Sequence, residues 1–142
     1  MYFDDLKVGM TVQIAPAVIE KEKMMDFARN YDPIPLHTDE VYAAASPFGA
    51  LIAPGVMSFM SVWANYLKQD FFGRELLAGK STKIEWHKPV YAQDVLHGDA
   101  QITRLEKRSH RNGIVEVTIH AYNQSNILVL SNVTEAIVRC RE

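Results

Sequence analysis

Asp32 and His37 stand with four residues between them in Tyr31-Asp32-Pro33-Ile34-Pro35-Leu36-His37. A carboxylate and an imidazole at that separation can bracket one water molecule. The imidazole accepts its proton near neutral pH, and the carboxylate orients it or shares the load. Such a spacing also occurs in many chains between two idle, exposed residues. Pro33 and Pro35 set this stretch apart, because each fixes a backbone torsion and so stiffens the loop. A stiff loop suits a preorganised site. Five residues fully extended span about 17 Å, so whether the pair converges is for the fold to decide.

The second chemically suggestive element is Pro54-Gly55, which opens an apolar segment running to about Gln69. The first amides of a helix lack intrahelical partners, and glycine lets a ligand approach the backbone. The positive helix end then faces any negative charge that develops there, which describes an oxyanion site. Plain helix initiation, with proline in the first turn, is the alternative.

These residues need elements to hold them. From Glu20, the positions Met24, Phe27, Ala28 and Tyr31 fall at i, i+3, i+4 and i+7, which predicts a helix with one apolar face. Pro33 ends it by driving Asp32 toward an extended conformation. A short helix is expected over Val41 to Ala45. In the long helix from Gly55, apolar side chains cover most of the circumference, and Ser58, Ser61, Asn65 and Lys68 form the only polar stripe. That pattern predicts a central helix on the order of 22 Å long. After Gly79 the period changes to two: Val115, Val117, Ile119 and Ala121 alternate with Glu116, Thr118, His120 and Tyr122. Strand-like runs also cover Lys80 to Lys88, Val95 to Leu105, Ile127 to Arg139 and the opening stretch near Met10 to Val18. Short connections between them, Asn112-Gly113 being a hairpin signal, imply an antiparallel sheet of about five strands in an α+β domain.

Composition narrows the class. The 142 residues are 48% hydrophobic and 23% charged, a globular balance that fits one domain over residues 1–142. A net charge of −2 leaves no electrostatic footprint for nucleic acid. The densest basic cluster, Lys107-Arg108-Ser109-His110-Arg111, is expected to be a solvated loop. The single cysteine, Cys140, excludes an internal disulfide and a zinc site of paired thiolates, so a reducing, cytoplasmic setting is expected. No apolar run approaches the roughly 20 residues that span a bilayer. His87, His97 and His120 fall in strand patterns and are expected to be ordinary sheet or surface residues. Met57, Phe59, Met60 and Trp63 are expected to form core, with some bordering a ligand channel.

Tyr31-Asp32-Pro33-Ile34-Pro35-Leu36-His37-Thr38-Asp39-Glu40, Ala44-Ala45-Ser46-Pro47-Phe48-Gly49, Leu51-Ile52-Ala53-Pro54-Gly55 and Trp86-His87-Lys88-Pro89-Val90-Tyr91-Ala92-Gln93-Asp94-Val95-Leu96 together resemble the MaoC-like dehydratase family, relatives of the (R)-specific enoyl-CoA hydratases. The resemblance extends over nearly the whole chain. It implies a hotdog fold, a curved antiparallel sheet wrapped around a long helix, and a homodimer with the acyl-CoA near the subunit interface. It implies Asp32 and His37 as the catalytic pair that adds water to a trans-2-enoyl-CoA, giving the (R)-3-hydroxyacyl-CoA, or removes it. Gly55 is implied as the amide that binds the thioester oxygen. No metal or separate cofactor is implied, since coenzyme A belongs to the substrate. An acyl-CoA thioesterase and a non-catalytic acyl-CoA binder are alternatives on the same fold. Three positions depart from the hydratase pattern: Ile34 stands for an asparagine, Pro54 for a histidine and Trp63 for a supporting serine. Lys88, Arg104, Lys107 and Arg108 are all eligible to meet the coenzyme A phosphates.

Overall fold

The strands all pair antiparallel. In the computed structural model, which describes residues 1–142, they are β1 (Thr11–Val18), β2 (Leu76–Trp86), β3 (Val95–Lys107), β4 (Asn112–Tyr122) and β5 (Leu128–Arg139). They form one five-stranded sheet in the order β1-β3-β4-β5-β2. The helices are α1 (Lys21–Tyr31), α2 (Pro35–Thr38), α3 (Glu40–Ala44) and α4 (Gly55–Lys68). Leu96, Ile102, Val117, Ile119 and Leu130 of the sheet and Met57, Phe59, Val62 and Tyr66 of α4 share one buried core. A long helix against five antiparallel strands is the hotdog arrangement that the resemblance implies. No helix is long and apolar enough to cross a membrane.

Two local expectations change. The stretch before His37 is not simply a stiff loop, because Pro35 to Thr38 closes a helical turn with Asp39 N–H donating to the Pro35 carbonyl at 2.9 Å. Proline at the first helical position has no N–H to leave unpaired, so the residue that stiffens the loop also starts the turn. Asn112-Gly113 does not form the hairpin turn either; both residues lie in β4. The turn is Arg108 to Arg111, closed by Arg108 and Ser109 N–H groups on the Asn112 carbonyl, each at 3.1 Å. Gly113 is needed instead for close approach, since a Cβ there would run into the Phe3 ring.

The central helix is also turned differently from its polar stripe. Ser58 is buried, and its hydroxyl donates to the Gly55 carbonyl at 2.7 Å. Ser61 does the same to Met57 at 3.0 Å, and the Asn65 amide spans to the Ala15 and Pro16 carbonyls at 2.8 and 3.1 Å. Backbone acceptors within the chain satisfy these polar groups. Apart from Lys68, the exposed positions are apolar: Val56, Met60 and Leu67 are 46%, 47% and 43% exposed.

One polar cluster interrupts the inner face of the sheet. Buried Asn132 donates to the Thr82 hydroxyl at 2.7 Å and the Lys83 carbonyl at 3.0 Å, and it accepts from the Thr134 hydroxyl at 2.8 Å. The Thr134 hydrogen is thereby used, so Thr82 donates to Thr134 across their 2.8 Å contact and the ring closes.

Candidate active site

Asp32 caps α1 with φ −155° and ψ 65°. Its own N–H still reaches the Ala28 carbonyl at 2.9 Å while its carbonyl accepts from Ile34 N–H at 2.9 Å, so the chain reverses at this residue. α2 then returns His37 to the end of α1, and its Nε2 lies 3.3 Å from Asp32 Oδ2. The pair that sequence spacing left open is therefore in contact.

The two partners are held differently. His37 is 5% exposed, whereas the Asp32 side chain is 43% exposed. His37 Nδ1 meets the Ile52 carbonyl at 2.7 Å, and a carbonyl only accepts, so Nδ1 carries the hydrogen. Nε2 is left as the free nitrogen, facing a carboxylate oxygen and open space. A neutral imidazole in this tautomer presents a lone pair to Asp32, so a single proton held between the two groups, or a water lodged against both, completes the pair.

The acceptor on Ile52 is itself fixed from both sides. Ile52 N–H donates to Leu36, Ala53 N–H donates to Val90 at 2.7 Å, and the Tyr91 hydroxyl donates to Phe48 at 2.9 Å. Buried Asp94 shapes the turn behind them, accepting from Tyr91 N–H at 2.9 Å and from the Gln124 amide at 3.0 Å. Its place in the motif is accounted for by this capping.

Gly55 begins α4 across the cavity. The N–H groups of Gly55, Val56 and Met57 find no acceptor in the protein, and Ser58 N–H is the first to bond, to Pro54 at 3.1 Å. Glycine leaves room for the indole here: a Cβ would lie 2.5 Å from Trp86 Cε2 and 2.7 Å from its Nε1. The indole packs flush against the helix start. Asp32, His37, Gly55, Val56, Ser58 and Trp86 line one cavity of about 420 Å³, together with Phe48, Ile52, Ala53 and His87 to Val90. That size suits the reactive end of a ligand rather than a whole nucleotide conjugate.

Sequence spacing gave no site role to Ser58, Trp86 or His87, which also line the cavity; Lys88, one of the four basic residues it singled out, lines it as well. His87 donates to or accepts from the Ser131 hydroxyl at 2.9 Å and is placed at the end of β2, where Pro89 stops the strand. The break at Pro89 was the available signal, since strand ends carry sites. Trp63, by contrast, stays out of the cavity and packs between Phe59 and Tyr66, with ring centroids 5.6 and 5.1 Å away. A serine does reach the site, from Ser58 one turn into α4.

Comparison with known proteins bears on the family and the fold. The family model described as "MaoC like domain" matches residues 5–124. The uncharacterized protein YdeM of Bacillus subtilis is 27% identical over 142 residues, 98% of this chain and 99% of that protein. A 3-hydroxybutyryl-CoA dehydratase of Methylorubrum extorquens is 40% identical over 57 residues, 39% of this chain and 36% of that protein. The crystal structure of a MaoC-like dehydratase from Rhodospirillum rubrum superposes with a TM-score of 0.90 at 25% identity, covering 100% of this chain and 99% of the other.

Proposed function

Because the chain belongs to the MaoC-like dehydratase family, we propose that it is a hydro-lyase that interconverts a trans-2-enoyl-CoA and the (R)-3-hydroxyacyl-CoA. The observation that carries this is the 3.3 Å contact between Asp32 Oδ2 and His37 Nε2 in a cavity that also receives the free amides of α4. Water held by the pair gives up a proton to it as the water oxygen bonds to C3. The C2–C3 π electrons move toward the thioester, whose oxygen gains negative charge beside the Gly55 N–H. The pair then returns one proton to C2, so the elements of water are added without net change in the protein. Dehydration is the same path reversed. The reaction needs no group beyond the coenzyme A that the substrate carries.

The test is hydration of crotonyl-CoA and of longer and branched 2-enoyl-CoA thioesters, followed by loss of enoyl-thioester absorbance and by the configuration of the product. Release of free coenzyme A thiol without hydration would turn the assignment to a thioesterase. Binding of the thioesters with neither outcome would turn it to a non-catalytic acyl-CoA binder.

A homodimer belongs to the same proposal. β2 is an edge strand exposed on both faces along most of its length, and α4 turns Val56, Met60 and Leu67 to solvent. Unpaired edges and apolar patches of this kind are normally covered, and Val56 continues from that face into the cavity. Wild-type protein is expected to run at twice the 16.1 kDa chain mass in light scattering. Met60→Asp is expected to shift it toward monomer. A monomeric wild type, or a variant that stays fully dimeric, would refute this interface.

A further inference from the structure

We propose that Lys88 is the cation that anchors an anionic group of the substrate, a specificity that rests on the acyl-CoA reading above. Four basic residues were eligible by sequence, and their partners in the fold separate them. Arg104 is occupied by Glu106 at 2.7 Å, Glu116 at 3.4 Å and Glu135 at 3.5 Å. The hydrogen bond that its guanidinium donates to Glu106 holds it above even its usual range. Lys107 is bound to Asp4 at 3.1 Å, and the Arg141 backbone N–H together with Lys107 keeps that carboxyl below the ordinary carboxylate range. Arg108 lies in the turn between β3 and β4 and does not line the cavity.

Lys88 alone combines the two requirements. It makes no ion pair, and it lines the cavity that holds Asp32, His37 and Gly55. Its backbone is fixed there: His87 and Lys88 N–H both donate to the Val129 carbonyl, at 2.8 and 3.3 Å, and Pro89 follows. An unpaired ammonium on a short, rigid segment thus borders, from an exposed position, the same cavity that Gly55, Val56 and Asp32 line. The thioester is neutral until the transition state, and Gly55 meets the charge that then develops. Lys88 therefore has a different task, to receive a charge already present on the ligand. Two parts of an acyl-CoA carry one: the phosphates of the coenzyme arm, or a carboxylate on the acyl chain.

Lys88→Ala and Lys88→Arg are compared with wild type on crotonyl-CoA, on crotonyl-pantetheine, which lacks phosphates, and on an enoyl-CoA ending in a carboxylate. Lys88→Ala is expected to raise KM about tenfold on the anionic ligand, the scale of one charge-assisted hydrogen bond, with turnover at saturation changing far less. Lys88→Arg is expected to recover most of the loss. If the phosphates are the partner, the loss appears with crotonyl-CoA and vanishes with crotonyl-pantetheine. If the carboxylate is the partner, it appears only with the carboxylated substrate. An equal loss on crotonyl-pantetheine, or no loss on any substrate, overturns the assignment. Calorimetric binding of butyryl-CoA and of a saturated, carboxylated acyl-CoA separates this outcome from failure of the hydratase reading. Weakening by Lys88→Ala in a protein without turnover would leave Lys88 in place and remove only the lyase.

Discussion

Asp32→Asn is expected to lower 2-enoyl-CoA hydration at least about a hundredfold, the scale of a lost, positioned acid or base. Asn keeps the shape and removes the charge and the proton-accepting oxygen that faces His37 Nε2 at 3.3 Å. Because the Asp32 side chain is 43% exposed, the variant should keep the wild-type thermal midpoint, which makes the activity loss easy to interpret. His37→Ala should lose as much activity but also stability, on the order of 1–3 kcal/mol, because a buried side chain is truncated and the Ile52 carbonyl loses its donor. Hydration rates and melting curves on the two variants check both halves. Asp32→Asn retaining more than a tenth of wild-type turnover would remove the pair from the mechanism.

The second large effect is expected from the smallest change, Gly55→Ala. The new methyl would sit 2.5 Å from Trp86 Cε2, so the indole or the first turn of α4 must move. Movement of the helix start displaces the free amides, and movement of the half-exposed indole reshapes the cavity wall beside them. Turnover should fall on the order of a hundredfold or more, as when an oxyanion donor is lost, and overpacking should cost about 1–3 kcal/mol. Adding Trp86→Ala removes the obstructing ring and should return much of the lost stability. A Gly55→Ala enzyme with wild-type turnover would show that the amide at this helix start plays no part.

Much of this was legible before the fold was known, for identifiable reasons. Period-two alternation located β4 because one of its faces is buried and the other is not. Pro33 located the end of α1 within a residue. Asp32, His37 and Gly55 stood out because proline and glycine flank them. Trp86 and His87 were hidden, and Lys88 could not be ranked above the other basic residues, because they line the cavity from the end of a strand 31 residues or more beyond Gly55, and only the pairing of β2 with β5 and of Ala53 with Val90 brings them there. The orientation of α4 was hidden for another reason. Serine and asparagine count as polar in a periodicity, yet Ser58, Ser61 and Asn65 spend their polarity on carbonyls within the chain. Tyr31 erred in the opposite sense: it continues the apolar face of α1 in the sequence but is 77% exposed, at the helix end beyond the sheet.

The ring of Thr82, Asn132 and Thr134 sets where β2 tolerates a change in length. Upstream of it, the pairing with β5 already slips twice, between Leu76 and Ala78 and between Gly79 and Ser81, so an inserted or deleted residue there has bulges to be absorbed in. From Ser81 to Trp86 the pairing is unbroken, and the ring pins Thr82 opposite Thr134. One residue added between Thr82 and Trp86 would carry the indole to the other face of the sheet and push His87 and Lys88 past the cavity. Lineages of this chain should therefore gain and lose residues before Ser81 and keep the count from Thr82 to Lys88 constant.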